Sequence, residues 1–305
     1  MRVFLQGPRY VLGEVEADFS TIENLPARAD EFRLAPDPAL WGWGSVFRSE
    51  RGLEAMAIES GSATLRAAAA DPASVDALVL CCSDVSAQAR MHGRFVGTIL
   101  TGIGLGDVPF YGLNLNRCVN LLAALDVARA FVASGRYRRV LVVTTDRVVD
   151  EDERMLPYAL LSDGAASCVV TADGEGPDRY ELLSCASAQD TRSLDWSGEI
   201  SSDLARQVND ALLAPLELTL ADVSALMHAN IFKPLVVMKE RQAGFTREQI
   251  YTDNIGRVGH CFAADPLINL VDRIALGHVQ PDRHYLLASS VPGSRMGVLL
   301  RRLAE

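Results

Sequence analysis

The stretch Gly112-Leu113-Asn114-Leu115-Asn116-Arg117-Cys118-Val119-Asn120-Leu121-Leu122-Ala123-Ala124-Leu125-Asp126-Val127 changes character in its middle. Its first half, YGLNL from Tyr111, reads as a short extended run. Its second half, continuing as NLLAALDVARAFVASG, reads as a long apolar helix. Cys118 stands at the junction. A thiolate at a helix N-terminus faces unpaired backbone N–H groups and the positive end of the helix dipole, and both favour the charged form. The same cysteine is otherwise a small buried hydrophobe, so the rest of the chain has to decide.

Working outward, short β-branched runs alternate with amphipathic helices, the pattern of an α/β fold with its sheets buried between helices. Strands are expected at Val75 to Cys82, Val140 to Thr144, Ala166 to Thr171, Val223 to Met227, Ile250 to Thr252, Tyr285 to Ala288 and Gly297 to Leu300, with a helix from Gly52 to Ala70. The order echoes itself. VLCC, Cys118, a helix, VLVVTT and DGAASCVVT in the first half correspond to SALMHAN, GHCFAADPLINL, HYLLASS and GSRMGVLLRRL in the second. A duplicated α/β unit follows from that order. The Gly- and acid-rich TADGEGPD is its junction, which divides the chain into 1–172, bearing Cys118, and 173–305, bearing two histidines.

The 305 residues are 49% hydrophobic and 22% charged, the balance of a folded protein. A net charge of −10 argues against nucleic acid as the main partner. An acidic cofactor or carrier would need a local basic patch. Arg136-Tyr137-Arg138-Arg139 and Lys239-Glu240-Arg241 are candidates, with solvated charge at element ends as the plainer reading. The chain has no apolar run long enough for a membrane span and no leader-like start. Six scattered cysteines without zinc-type spacing fit reduced thiols in a cytoplasmic protein and no metal.

Three residues carry candidate chemistry: Cys118, His228 in MHAN and His260 in VGHC. Nucleophilic cysteine catalysis needs an activated thiol and a nearby group to move protons, and imidazoles titrating near neutrality serve. Cys261, Cys81 and Cys82 read as packing residues, and Asp163 in SDGA as a turn residue. GIGLG at Gly102 to Gly106 lacks the context of a dinucleotide loop, and no GxSxG supports a serine hydrolase.

The Cys118 helix followed by SGRYRRVLVVTTD, the segment LLSDGAASCVV, the run Asn254 to His260 continuing into FAADPLINL, and the closing LLASSVPGSRMGVLL together resemble the thiolase-fold condensing enzymes. The nearest likeness is to β-ketoacyl-acyl-carrier-protein synthase III and its relatives in specialised metabolism. The resemblance implies a duplicated fold in α-β-α-β-α layers and a homodimer. It implies no tightly bound cofactor, with coenzyme A or phosphopantetheine thioesters as substrates and acyl-CoA or an acyl carrier protein as partner. Cys118 would be the acyl-accepting nucleophile, His228 the first polar partner with Asn230 after it, and His260 the second, where the fatty-acid enzymes have asparagine. Trp43 and Arg48 would hold the coenzyme A adenine and phosphates. The implied reaction is decarboxylative condensation with a malonyl-type thioester. Acyl transfer to an alcohol or amine, thioester hydrolysis, and a non-catalytic carrier-binding role stand as alternatives.

Two departures bear on that choice. The family spaces its histidine and asparagine by two residues, whereas Ala229 alone separates His228 from Asn230. The family's closing glycine run supplies an oxyanion-hole N–H where this chain has Pro292, which has none, so Gly293 would have to serve. Losing one such donor slows a reaction by about 100- to 1,000-fold.

Overall fold

The computed structural model describes residues 1–83, 92–194 and 201–304. Among the described residues, nine strands form one hydrogen-bonded ladder: β1 (Phe4–Leu12), β2 (Ala77–Cys81), β3 (Phe110–Leu113), β4 (Arg139–Asp146), β5 (Gly164–Thr171), β6 (Arg179–Gln189), β7 (Val223–Met227), β8 (His284–Val291) and β9 (Ser294–Arg302). Their order is β7-β8-β9-β6-β1-β5-β4-β2-β3.

The ladder contains the same pairing scheme twice. β2 runs parallel to β3 and β4, β4 antiparallel to β5, and β5 antiparallel to β1. In the second half β7 runs parallel to β8, β8 antiparallel to β9, and β9 antiparallel to β6. A single parallel bridge, Leu226 to Ile250, stands where β3 stands in the first half, so the expected strand Ile250 to Thr252 is reduced to one residue. The halves join where β1 and β6 pair antiparallel, Phe4 opposite Glu181.

Burial explains why these segments are strands. ALVLC in β2 and GAASCVVT in β5 are buried at every position, which requires cover on both faces. Helix α1 (Leu53–Ala67) covers the first half from outside, packing on β1, β4 and β5. Helix α2 (Asn120–Ala133) is buried continuously from Asn120 to Leu125 and touches strands of both halves, as expected of a helix apolar nearly all round. Helix α3 (Ser202–Leu213), capped by the Ser201 hydroxyl, packs its Leu204-Val208-Leu212 face outside β6 and β9. Helix α4 (Lys233–Gln242) lies beside α3, and α5 (Asp265–Ala275) shares the middle layer with α2, touching β1, β7 and β8. The layers are therefore helix, half-sheet, helix, half-sheet, helix.

Two expectations change. The helix expected to open at Cys118 begins at Asn120, and Cys118 occupies a 3-10 turn, Arg117–Val119, ahead of it. Of Ser86 to Gly97, a stretch expected to shape an acyl pocket, residues 86–91 lie outside the described ones; the remainder opens the helix His92–Ile103.

Candidate active site

Asn120 builds the turn that presents Cys118. Its side-chain oxygen accepts the Asn116 N–H at 3.0 Å and its amide reaches the Cys82 carbonyl at 3.4 Å, tying the turn to the end of β2. Arg117 takes a left-handed φ of 50°, a conformation worth about 1–3 kcal/mol of strain in a non-glycine residue. Cys118 is half-buried, with Sγ 3.2 Å from Nε2 of His260.

His260 is fixed from several sides. Its N–H donates to the Leu160 carbonyl at 2.8 Å and its carbonyl accepts the Ser162 N–H at 2.9 Å. The Ser162 hydroxyl donates to the Val258 carbonyl at 2.6 Å and accepts the Phe47 N–H at 3.0 Å. Gly259 permits this approach: its φ is +74°, and a Cβ there would lie 2.8 Å from Ser162 Oγ. Phe262, also left-handed at φ 51°, stacks on the imidazole at 6.1 Å, and Tyr158 meets it edge-on at 6.4 Å.

The third member is Asp265, which sequence reasoning passed over. Its Oδ2 takes the His260 Nδ1 hydrogen bond and the Asn230 N–H at 2.6 Å, while Oδ1 takes the Cys261 N–H at 2.7 Å. The available signal was an Asp-Pro pair at a helix start five residues beyond His260. Burial alone would push the imidazole down, but the Asp265 carboxylate, aided by Cys118, outweighs it and holds His260 well above its ordinary value. Burial first, with the neighbouring Cys118 second, pushes the Tyr158 phenol up.

His228 does not join this set. Its Nδ1–H donates to the Ala229 carbonyl at 3.0 Å and its Nε2 accepts from Lys239 Nζ at 2.7 Å, so both ring nitrogens are engaged. Burial first, then the Lys239 charge, pushes this imidazole well below its ordinary value. Glu240 Oε1 is 3.3 Å from Nε2, yet the ammonium already donating there requires a neutral ring. Lys239 and Glu240, read from sequence as a basic patch or solvated charge, are buried: Glu240 also pairs with Arg295 at 2.5 Å and Lys239 donates to Ser290 at 3.0 Å.

The remaining candidates take structural positions. Trp43 is 8% exposed, packed among Phe19 and Phe232, which removes the open ring face that stacking on an adenine needs. Arg48 is paired with Glu151 at 3.0 Å and bonded to Thr21. Asn230 donates its side chain to the Gly259 carbonyl at 3.0 Å and so braces the His260 loop from within. Pro292 and Gly293 form the two-residue turn between β8 and β9, with Val291 opposite Ser294. The Gly293 carbonyl accepts the Asp190 N–H at 2.8 Å. Asp163 is no surface turn but a buried hub, accepting from Ser49, Val148 and Arg154. In the first basic run, Arg136 lies over the rings of Tyr111, Phe131 and Tyr137, and Arg139 is 3.7 Å from Asp173. A cleft of about 170 Å³ is lined by Asn116, Arg117, Gln189, Leu194 and the Val291-Pro292 turn. Among the described residues, no group of three potential ligands could hold a metal ion, and no helix is long and apolar enough to cross a membrane.

Comparison with known proteins agrees with this architecture. The model of the 3-oxoacyl-[acyl-carrier-protein] synthase III family matches residues 114–190, which include Cys118 and the Leu160–Ser162 brace. A β-ketoacyl-[acyl-carrier-protein] synthase III of Thermosynechococcus vestitus is 26% identical over 84% of this chain and 85% of its own. The chain spans only 25%, 40% and 34% of the length of three other synthase III relatives it matches. Among solved structures, an acyltransferase named ChlB3 superposes with a TM-score of 0.83 at 16% identity, covering 100% of this chain and 98% of that one. The 3-oxoacyl-(acyl carrier protein) synthase III of Pseudomonas aeruginosa PAO1 superposes with a TM-score of 0.79 at 17% identity, covering 100% and 99%. Taken together, the layered fold, the family match around Cys118 and the likeness along the whole chain show a thiolase-like fold similar to that of the β-ketoacyl-acyl-carrier-protein synthase III proteins.

Proposed function

We propose that this chain is an acyltransferase that carries an acyl group on Cys118 and passes it to an alcohol or amine. The observation that supports this reading best is the line Cys118–His260–Asp265: a thiol, an imidazole in reach of it, and a carboxylate that orients the imidazole. In the first step Sγ attacks a thioester carbonyl, its proton passing to His260 Nε2. The tetrahedral adduct collapses by expelling the donor thiol, which takes that proton. In the second step the acceptor O–H or N–H gives its proton to Nε2 as the heteroatom attacks the acyl group, and the Cys118 thiolate leaves. Asp265 keeps the hydrogen on Nδ1 and stabilises the imidazolium formed in each step.

Decarboxylative condensation asks for donors around a second carbonyl, where the enolate forms. With His228 engaged by Lys239 and Pro292 lacking an N–H, that requirement is less well met. The donor is an acyl-CoA or acyl-carrier thioester, and the reducing cytoplasm suits six cysteines that form no disulfide. The assembly is a homodimer, for which β3 leaves a sheet edge with Phe110 exposed.

Intact-protein mass spectrometry with a panel of acyl-CoA and carrier-bound donors, beside Cys118→Ala, tests the reading. An acyl adduct on the wild type alone, discharged by alcohols or amines and not by malonyl-CoA, is the expected result. Discharge by malonyl-CoA with a β-keto product would establish condensation instead, and discharge by water alone a thioesterase. No adduct with any donor would leave a non-catalytic carrier-binding role.

A further inference from the structure

Asn254 and Asn269 have no part in the chemistry above, yet both are fully buried and bonded to each other, Asn254 Nδ2 donating to Asn269 Oδ1 at 2.9 Å. Asn269 Nδ2 donates onward to Asn230 Oδ1 at 2.9 Å and to the His228 carbonyl at 2.8 Å. Asn254 also donates to Asp272 Oδ2 at 2.8 Å, and its carbonyl accepts the N–H groups of Val258 and Gly259. Three segments meet at this pair: the 228–230 loop, the 254–260 loop and α5.

The bond from Asn269 to Asn230 ends one step from the proton-transfer line. Asp265 and Asn269 lie one turn apart on α5 and therefore share a face. Asp265 reaches His260 from that face, and Asn269 reaches Asn230. The Asn230 N–H bonds the same carboxylate oxygen that holds His260 Nδ1, and its side-chain amide holds the Gly259 carbonyl next to His260. An apolar residue would propagate a helix interior better than asparagine. Here the asparagine satisfies two acceptors and one donor that would otherwise be buried unpaired.

We propose that Asn269, braced by Asn254, is a positioning residue: it fixes Asn230 so that the Asp265 carboxylate stays aligned on His260, and thereby sets the readiness of Cys118. The proposal rests on the reading of His260 and Asp265 as the proton-transfer pair. The groups facing His260 are Cys118, Asp265 and Tyr158, and Asn269 acts on the second of them.

The test is the rate of Cys118 alkylation by iodoacetamide as a function of pH, for wild type, Asn269→Ala and Asn269→Ser, each also in an Asp265→Asn background, with melting temperatures alongside. The Asn269→Ala profile is expected to move to higher pH by about one unit, about tenfold in rate on its rising limb. The serine, which restores one donor, is expected to recover part of the shift. In the Asp265→Asn background neither change should alter the profile. A profile that superposes on wild type while the melting temperature falls would show that Asn269 only holds the core together, and would overturn the proposal. So would a full effect that persists without the Asp265 carboxylate. If Asn269→Ala does not fold, the serine variant decides by the same criteria. A wild-type Cys118 no more reactive than a free thiol at any pH would remove the nucleophile reading, and this proposal with it.

Discussion

His228 and His260 are the same residue, each 1% exposed, each in the second half of the chain, and their protonation is driven in opposite directions. Burial pushes both imidazoles down. At His260 a carboxylate on the ring's far nitrogen and a sulfur on its near nitrogen reverse that push. At His228 an ammonium on Nε2 reinforces it. The difference teaches that residue type and depth do not assign a role, and that the charge beside the ring does. In the proposed reaction one imidazole takes and returns a proton; the other is a neutral acceptor inside a buried ion cluster.

The largest test of that contrast removes the poised ring. His260→Ala and Asp265→Asn are each expected to slow acyl loading of Cys118 by about 10²- to 10⁴-fold with the fold intact, followed by single-turnover mass spectrometry. His228→Gln, measured the same way on folded protein, should leave loading within about tenfold, below the range of a general acid–base. Equal losses at both positions would erase the distinction.

The ion cluster is tested through stability. Glu240 is held well below the usual carboxylate range although burial opposes this, because Arg295 and Lys239 flank it. Glu240→Gln strands two buried cations and is expected to lower unfolding free energy by about 3–5 kcal/mol in urea titration. Acyl loading per folded molecule should be unchanged.

A subtler difference lies in the two pH windows. A folded-state value depressed at His228 means that the unfolded chain takes up its proton first as pH falls below about 6.5. That contribution is present above about 6.5 and lost toward acid, with a slope of at most about 1.4 kcal/mol per pH unit. The raised value at His260 acts the other way: its contribution is complete below about 6.5 and is lost as pH rises through the folded-state value. Urea titrations across pH should therefore show His228→Gln flattening the acid limb and His260→Gln the alkaline limb.

The smallest expected effect is at the β8–β9 turn. Pro292→Gly adds a backbone N–H and should raise acyl loading by up to about tenfold, less than a well-aimed oxyanion donor supplies. No change in rate would place the oxyanion donors elsewhere.

Much of the fold was legible because its strands are continuous apolar runs and its helices carry a clear period. β2, β4, β5, β7, β8 and β9 all fall on segments whose composition already reads as buried strand. β6, with RYELLSCASAQ, was missed because its burial fades from one end to the other, which blurs any two-residue alternation. The Cys118 helix was placed two residues early, since a 3-10 turn and an α-helix share the same local composition. Of the candidate site residues, Cys118 and His260 stand out in sequence by their positions beside predicted elements, and the structure brings them within 3.2 Å of each other. Asp265 does not stand out, because an Asp before Pro reads as an ordinary helix start.

The sequence by itself determined the α/β alternation, the duplicated order of elements and the placing of Cys118 between an extended run and a helix, because apolar periodicity is a local property of the chain. Only the tertiary structure decided which histidine lies within reach of the thiol. Lys239 and Glu240 lie in a helix that reads as solvated, and only the packing of α4 against His228, Ser290 and Arg295 turns those charges inward. Likewise Asp265 meets His260 only because the turn at Phe262 folds the start of α5 back toward the ring. Proximity between charged groups is set by packing, and packing is what a one-dimensional pattern does not contain.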